Sequence, residues 1–302
     1  MSVLVVGSIA LDTVETPFGS VQSVLGGSAS YFSIAASLFT DVKVIAVVGE
    51  DFPNEYLELF KSKPIDLKGV QRALGETFRW HGRYGYDLGE PKTLGTYLNV
   101  FENFDPVLPD DYREAEYVFL ANIDPELQLN VLKQVKTPKL VACDTMNYWI
   151  ENKLEGLKEV LRHVNIFIIN DSETRALAKE PIIIRAARAV LDMGPEILIV
   201  KRGEYGALMF SRNGIFWSPS YPLEEIIDPT GAGDTFAGGF MGYISGNGLS
   251  TQDQLELKKA VVYGGVVASF TVEDFSVKRL ASLRKEEVDA RLEAFLKLSN
   301  MD

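Results

Sequence analysis

The chain has 302 residues, 46% of them hydrophobic and 24% charged, which supplies material for a sizeable core and excludes disordered and fibrous classes. Thirty basic residues against 42 acidic ones leave a formal charge of -12, which disfavours nucleic acid and anionic membrane surfaces as partners. A single cysteine, Cys143, and two histidines, His81 and His163, allow neither an internal disulfide nor a histidine-rich metal site, so a reducing, cytoplasmic setting is expected.

Met1 to Gly7 lacks a basic leader, and Asp12 follows too soon for a hydrophobic span, so neither a signal peptide nor a membrane segment is predicted. Val3 to Val6 and Val44 to Val48 are short apolar runs, each ending in glycine, and read as strands buried on both faces. Runs of the same type follow at Val118 to Ala121, Leu140 to Cys143, Ile166 to Ile169 and Ile197 to Val200, separated by segments of helical length. This alternation predicts an α/β fold, a doubly wound and mainly parallel sheet flanked by helices, with ligands at the carboxyl ends of the strands.

Two stretches, Thr13 to Val24 and Thr77 to about Phe104, break the alternation with Thr, Val, Gly and aromatics. They predict short antiparallel strands outside the main sheet. Such a flap either closes over a ligand or packs its apolar face on the domain or a second subunit. Without a linker or internal repeat, residues 1–302 are expected to form one domain, with a lid inserted from about 13–24 and 77–104. Beyond Val200 the chain predicts a hairpin over Gly206 to Trp217, then helices over Thr235 to Ser245, Asp253 to Phe270 and Lys285 to Leu298.

The glycine-rich turn Asp228-Pro229-Thr230-Gly231-Ala232-Gly233-Asp234 opens the first of these helices, where unpaired amides and the helix dipole attract anions. Asp234 falls in the first turn. Simple charge complementarity would account for it, but the spacing of a capping box is absent. A cradle for an anion followed at once by a carboxylate is what phosphoryl transfer to an alcohol requires, since phosphoryl charge must be stabilised while the attacking hydroxyl loses its proton.

These residues resemble the ribokinase-like, or pfkB, carbohydrate kinases. The carboxyl-terminal signature of that family is matched by Asp228 to Phe236, and its Gly-Gly pair opening a helix by Gly26-Gly27-Ser28-Ala29. Its Asn-x-x-Glu motif is matched by Asn170-Asp171-Ser172-Glu173, and its nucleotide-side turn by Lys201-Arg202-Gly203-Glu204-Tyr205-Gly206. The resemblance implies a ribokinase-like fold with a small β-sheet lid, and phosphorylation of a hydroxymethyl group by ATP with Mg2+. It also implies Asp234 as base and the amides of Gly231, Ala232 and Gly233 as anion hole. Asn170 and Glu173 would act on magnesium through water or phosphate, and Lys201, Gly203, Gly206 and Gly233 would lie along the nucleotide. Asp12, Gly26 and Gly27 would face the acceptor, and K+ is implied for some members near the Asp228 turn.

The family commonly carries Asn where this chain has Tyr31, an aromatic that either stacks on an acceptor ring or fills core space. Arg79 and Arg83 would meet a phosphate on a phosphorylated acceptor or stay solvated, and Asp144 and Asn147 are further pocket candidates. The leading expectation is a kinase of a small sugar or polyol. The alternative is a nucleoside kinase, in which Tyr31 and the aromatic lid stack on a base. A non-catalytic ligand sensor is disfavoured by the intact turn and Asp234. The expected partners are a small-molecule acceptor and a second copy of the chain, docked through the lid.

Overall fold

Aliphatic and β-branched runs set the frame. The computed structural model describes residues 1–299. Its strands, in chain order, are β1 (Ser2–Val6), β2 (Ala10–Thr16), β3 (Gly19–Gly26), β4 (Asp41–Val48), β5 (Ile65–Arg72), β6 (Arg79–Arg83) and β7 (Lys92–Tyr97). They continue with β8 (Tyr117–Leu120), β9 (Leu140–Cys143), β10 (Ile166–Asn170), β11 (Ile197–Lys201), β12 (Ala207–Ser211) and β13 (Gly214–Ser218). A nine-stranded sheet has the order β13-β12-β11-β10-β9-β8-β1-β4-β5, and a four-stranded sheet the order β3-β2-β6-β7. From β11 to β5 every neighbouring pair is parallel, while the β12–β13 hairpin closes the other edge antiparallel.

Strand period decides which core each side chain joins. Val3 and Val5 face a core with Phe32, Phe240 and Val267 of the helices Ser28–Ala36, Ala232–Gly246 and Gln254–Thr271. Leu4 and Val6 face the opposite core, with Val131, Leu157 and Val190 of the helices Pro125–Gln134, Leu154–Leu161 and Ile183–Leu191. Burial on both faces is why these strands read as unbroken apolar runs. At the first of these interfaces Phe32 stacks on Phe119, with ring centroids 4.4 Å apart. Emptying that site by Phe119→Ala would cost about 3–5 kcal/mol.

Two sequence expectations need correction. The small sheet is not wholly antiparallel: β2 and β6 run parallel, because they are joined through the main sheet rather than by a tight turn. Its strands also begin at Ala10 and extend to Gly26, while residues 99–103 form a 3-10 turn and Phe104 enters the second core. Edge strand β5 escaped notice because Asp66, Lys68, Gly69 and Gln71 interrupt its apolar pattern.

The carboxyl ends of the parallel strands converge. Asp144 follows β9, Asn170 ends β10 and Lys201 ends β11. The small sheet leaves the same edge of β1 through Gly7 to Ile9.

Candidate active site

The turn before the helix Ala232–Gly246 is built on Asp228, which is fully buried. Its Oδ1 accepts the Thr230 amide at 2.9 Å, and its Oδ2 has no partner among the described residues. Gly231 caps the helix at φ +75°, and a Cβ there would lie 2.5 Å from ring atoms of Tyr31. Both the left-handed backbone and the contact demand glycine. The Ala232 amide donates to the Pro229 carbonyl at 3.2 Å and the Thr235 amide to that of Gly231 at 2.8 Å. The Gly231 and Gly233 amides have no acceptor of this kind among the described residues, so of the three amides expected to cradle an anion these two are open and that of Ala232 is taken by Pro229.

Lys201 meets this turn from the end of β11. Its ammonium lies over Gly233, since a Cβ on that glycine would fall 2.8 Å from Nζ. No carboxylate of the described residues pairs with it within 4.0 Å, yet its charge acts on Asp144, Glu173 and Asp234. Burial pushes Asp234 up to about 6, with Lys201 pulling it down. Asp144, 3% exposed and with an unpartnered Oδ1, is pushed well above the carboxylate range by burial and then by Asp234. Asn147 opens the next helix, Asn147–Asn152, and is half-buried.

Asn170 and Glu173 form a capping box at the helix Asp171–Ala178. The Asn170 Oδ1 accepts the Glu173 amide at 2.7 Å, and Glu173 Oε2 accepts the Asn170 amide at 3.0 Å. Their local role is thus to seat this helix beside Lys201. Gly203, at φ +54°, has open space where a side chain would stand, whereas a Cβ on Gly206 would lie 2.0 Å from the Ser218 carbonyl oxygen. Gly206 therefore lets the β12–β13 hairpin close, and Gly203 leaves room beside the turn. The oxygen donors here suit a hard cation such as Mg2+, and the orphaned Asp144 Oδ1 gives it a fitting neighbour. Among the described residues no cluster of three His, Cys, Asp or Glu side chains forms a metal cage.

Asp12, the residue expected to face the acceptor, lies on β2. This carboxylate is 5% exposed, with Oδ1 unpartnered. A Cβ on Gly26 would fall 1.8 Å from Asp12 Oδ2, so the absent side chain makes the carboxylate's berth. Gly27, at φ +90°, brings the next helix against Ser8, whose carbonyl accepts the Ala29 amide at 2.9 Å. Burial pushes Asp12 up to about 8, opposed by the Gly27 amide and reinforced by Asp228 and Asp234. Tyr31 is 2% exposed with its ring against Gly231, so it walls the turn and fills core space.

Two of the lid aromatics, which the sequence left undifferentiated among the others, join this site. Tyr84, nearly buried, accepts the Thr230 hydroxyl at 3.2 Å on its Oη. Trp80 pairs in register with Asp12 and so shares its face, its indole lying over Gly82. An aromatic one or two residues before a glycine, as in Trp80-His81-Gly82 and Tyr84-Gly85, was the available signal. The two lid arginines are committed elsewhere: Arg79 pairs with Asp51 at 2.6 Å and Arg83 with Glu15 at 2.7 Å. Neither is a free anchor for an acceptor phosphate.

The sequence profile of the pfkB family carbohydrate kinases matches residues 2–282. The chain is a member of that family. A cytidine kinase of Thermococcus kodakarensis is 30% identical over 269 residues, spanning 86% of this chain and 95% of that protein. Among solved structures, a Methanocaldococcus jannaschii nucleoside kinase superposes with a TM-score of 0.77 at 24% identity, covering 97% of this chain and 98% of that one. A putative ribokinase II of Escherichia coli, in complex with ATP and Mg2+, gives a TM-score of 0.79 at 18% identity, covering 97% and 99%. As a pfkB family kinase, this chain is a phosphotransferase acting on a hydroxyl group. Its fold, a large mainly parallel sheet with a small second sheet, is that of the ribokinase-like kinases.

Proposed function

We propose that this kinase transfers the terminal phosphoryl group of ATP to the primary hydroxyl of a nucleoside. The observation that carries the reading is Asp12: a buried carboxylate with one unpartnered oxygen, on the same lid face as Trp80. A carboxylate so placed accepts vicinal hydroxyl donors of a sugar ring, and the Trp80 indole on that face of the lid, over Gly82 and donating through Nε1 to Thr93 Oγ1 at 3.3 Å, offers a stacking face to a base. The cytidine and nucleoside kinases among the relatives support the same acceptor class.

Asp234, with a value of about 6, is largely ionised at neutral pH and takes the proton of the attacking hydroxyl. The Gly233 amide, the helix dipole and Lys201 stabilise charge on the transferred phosphoryl oxygens. Asn170, Glu173 and Asp144 hold the magnesium side through water and phosphate. When bound, magnesium neutralises phosphate charge and orients the nucleotide. Asp228 Oδ2, buried without a partner, suits a monovalent cation beneath the turn. Tyr84 closes the lid over Thr230 and keeps water from the phosphoryl group. Phe18, Leu94 and Tyr97, exposed on the lid, support a homodimer there, which the mass in solution tests.

ADP release should be measured with Mg-ATP across sugars, polyols, sugar phosphates and nucleosides, with Asp234→Asn as control. A nucleoside response that vanishes in the control is expected. A response to free sugars alone would overturn the nucleoside assignment in favour of a carbohydrate acceptor.

A further inference from the structure

Glu90 belongs to the lid segment between β6 and β7, yet its Oε1 receives the hydroxyl of Ser172, across the cleft in the first turn of the helix Asp171–Ala178. Ser172 Oγ also lies 2.8 Å from Asn170 Oδ1, which already accepts the Glu173 amide. One hydroxyl proton therefore faces two acceptor oxygens. With Tyr84 on Thr230, the lid touches both the turn beside Asp234 and the Asn170–Glu173 motif. The second contact brings a carboxylate, whose charge acts on Glu173, to a place already holding Glu173, Asp144 and Asp234 around one ammonium.

We propose that Glu90 is a positioning residue through which the lid distinguishes metal-complexed from metal-free nucleotide. The proposal rests on the reading of Asn170 and Glu173 as the nucleotide side. Phosphates without a metal repel Glu90 and hold the lid away from Ser172. Phosphates whose charge is partly neutralised would let Glu90 return to Ser172. Lid closure is thereby tied to a transferable nucleotide before the acceptor is sealed in. Glu90 is exposed, so its replacement leaves the core untouched.

The test compares wild type with Glu90→Gln by calorimetric titration of ATP, in EDTA and in excess Mg2+, together with trypsin cleavage at Arg83 and Lys92, which flank the segment. In EDTA the variant should bind ATP about tenfold tighter than wild type, the order expected from removing one charge beside the phosphates. In Mg2+ the two should bind alike. ATP should protect the wild-type segment from trypsin only with Mg2+, and the variant's segment with or without it. Ser172→Ala keeps the Glu90 charge and should retain the wild-type contrast between EDTA and Mg2+. An equal contrast in wild type and Glu90→Gln would overturn the proposal while leaving the kinase reading intact. Failure of ATP to bind either protein would overturn both.

Discussion

Asp12→Asn should stabilise the fold while disabling the acceptor site. The carboxylate is 5% exposed, with one oxygen unpartnered, and burial raises it from 3.8 to about 8. Its folded value exceeds its unfolded one, so the folded state binds the proton more tightly. Stability is therefore fully present at low pH and lost as pH rises between the two values. At ~1.4 kcal/mol per unit, the loss reaches a ceiling of ~4 kcal/mol at pH 7. Asn keeps the shape without the charge and escapes this loss. Urea unfolding at about pH 5 and pH 8 should show the variant gaining on wild type by ~2–4 kcal/mol across the interval. Its KM for the acceptor should rise most above pH 8, by about 100-fold, where wild-type Asp12 is ionised and its hydrogen bonds to the acceptor are charge-assisted. A stability difference that stays constant from pH 5 to pH 8 would refute the view of Asp12 as a buried carboxylate held for its ligand.

Asp234→Asn should lower turnover on the order of 10²–10⁴-fold with ATP affinity kept, measured by steady-state kinetics and calorimetry. The acid limb of the wild-type rate profile should fall near the value of about 6 set for Asp234. In Lys201→Met that limb should move to higher pH, because the cation favouring the ionised carboxylate is gone. An unmoved limb would remove Lys201 from the electrostatics of the base. Gly231→Ala places a Cβ 2.5 Å from the Tyr31 ring at a left-handed position, and should cost about 1–3 kcal/mol in urea unfolding. Retention of wild-type stability would mean that the turn and Tyr31 are not packed as described.

The parallel sheet was legible because strands buried on both faces carry no polar alternation, as in Leu140 to Cys143 and Ile166 to Ile169. Strand β5 was not, since an edge strand mixes Lys68 and Gln71 with its apolar residues. The turn was legible because paired glycines followed by Asp at a helix start are conspicuous, although Gly231 also serves the fold, as a left-handed cap with no room for a Cβ against Tyr31. Sequence could not separate the two uses of an aromatic. Tyr31 fills core space against Gly231, whereas of the lid aromatics, for which both stacking on a ligand and packing were open, Tyr84 meets Thr230 and Trp80 shares the face of Asp12. The parting depends on which strands pair, and β2 meets β6 through register that no local pattern encodes. Likewise Asn170 and Glu173 carry a motif spacing that is also a capping box, and only their placement beside Lys201 distinguishes a site from a helix end.

The buried oxygens without partners explain why this arrangement stays poised. Asp12 Oδ1, Asp144 Oδ1 and Asp228 Oδ2 are all unpartnered among the described residues, and they lie respectively on the acceptor side, the nucleotide side and beneath the turn between. Each such oxygen costs on the order of 1–3 kcal/mol; Ser33 Oγ, Gln128 Oε1, Thr145 Oγ1 and Ser245 Oγ are also buried without partners among the described residues, but the three carboxylate oxygens belong to acids. A fold with two large apolar cores can carry that deficit, and a ligand that supplies hydroxyl donors or cations relieves it. Relief on binding is the same free energy as affinity, so the three carboxylates trade stability of the empty protein for selectivity toward its ligands. The deficit is electrostatic as well as geometric: one ammonium, Lys201, acts on Asp144, Glu173 and Asp234. A phosphate donor entering alone would push these raised carboxyl groups further up, so its binding is coupled to uptake of protons or cations. That coupling explains why a site meant for an anion can be lined chiefly with acids.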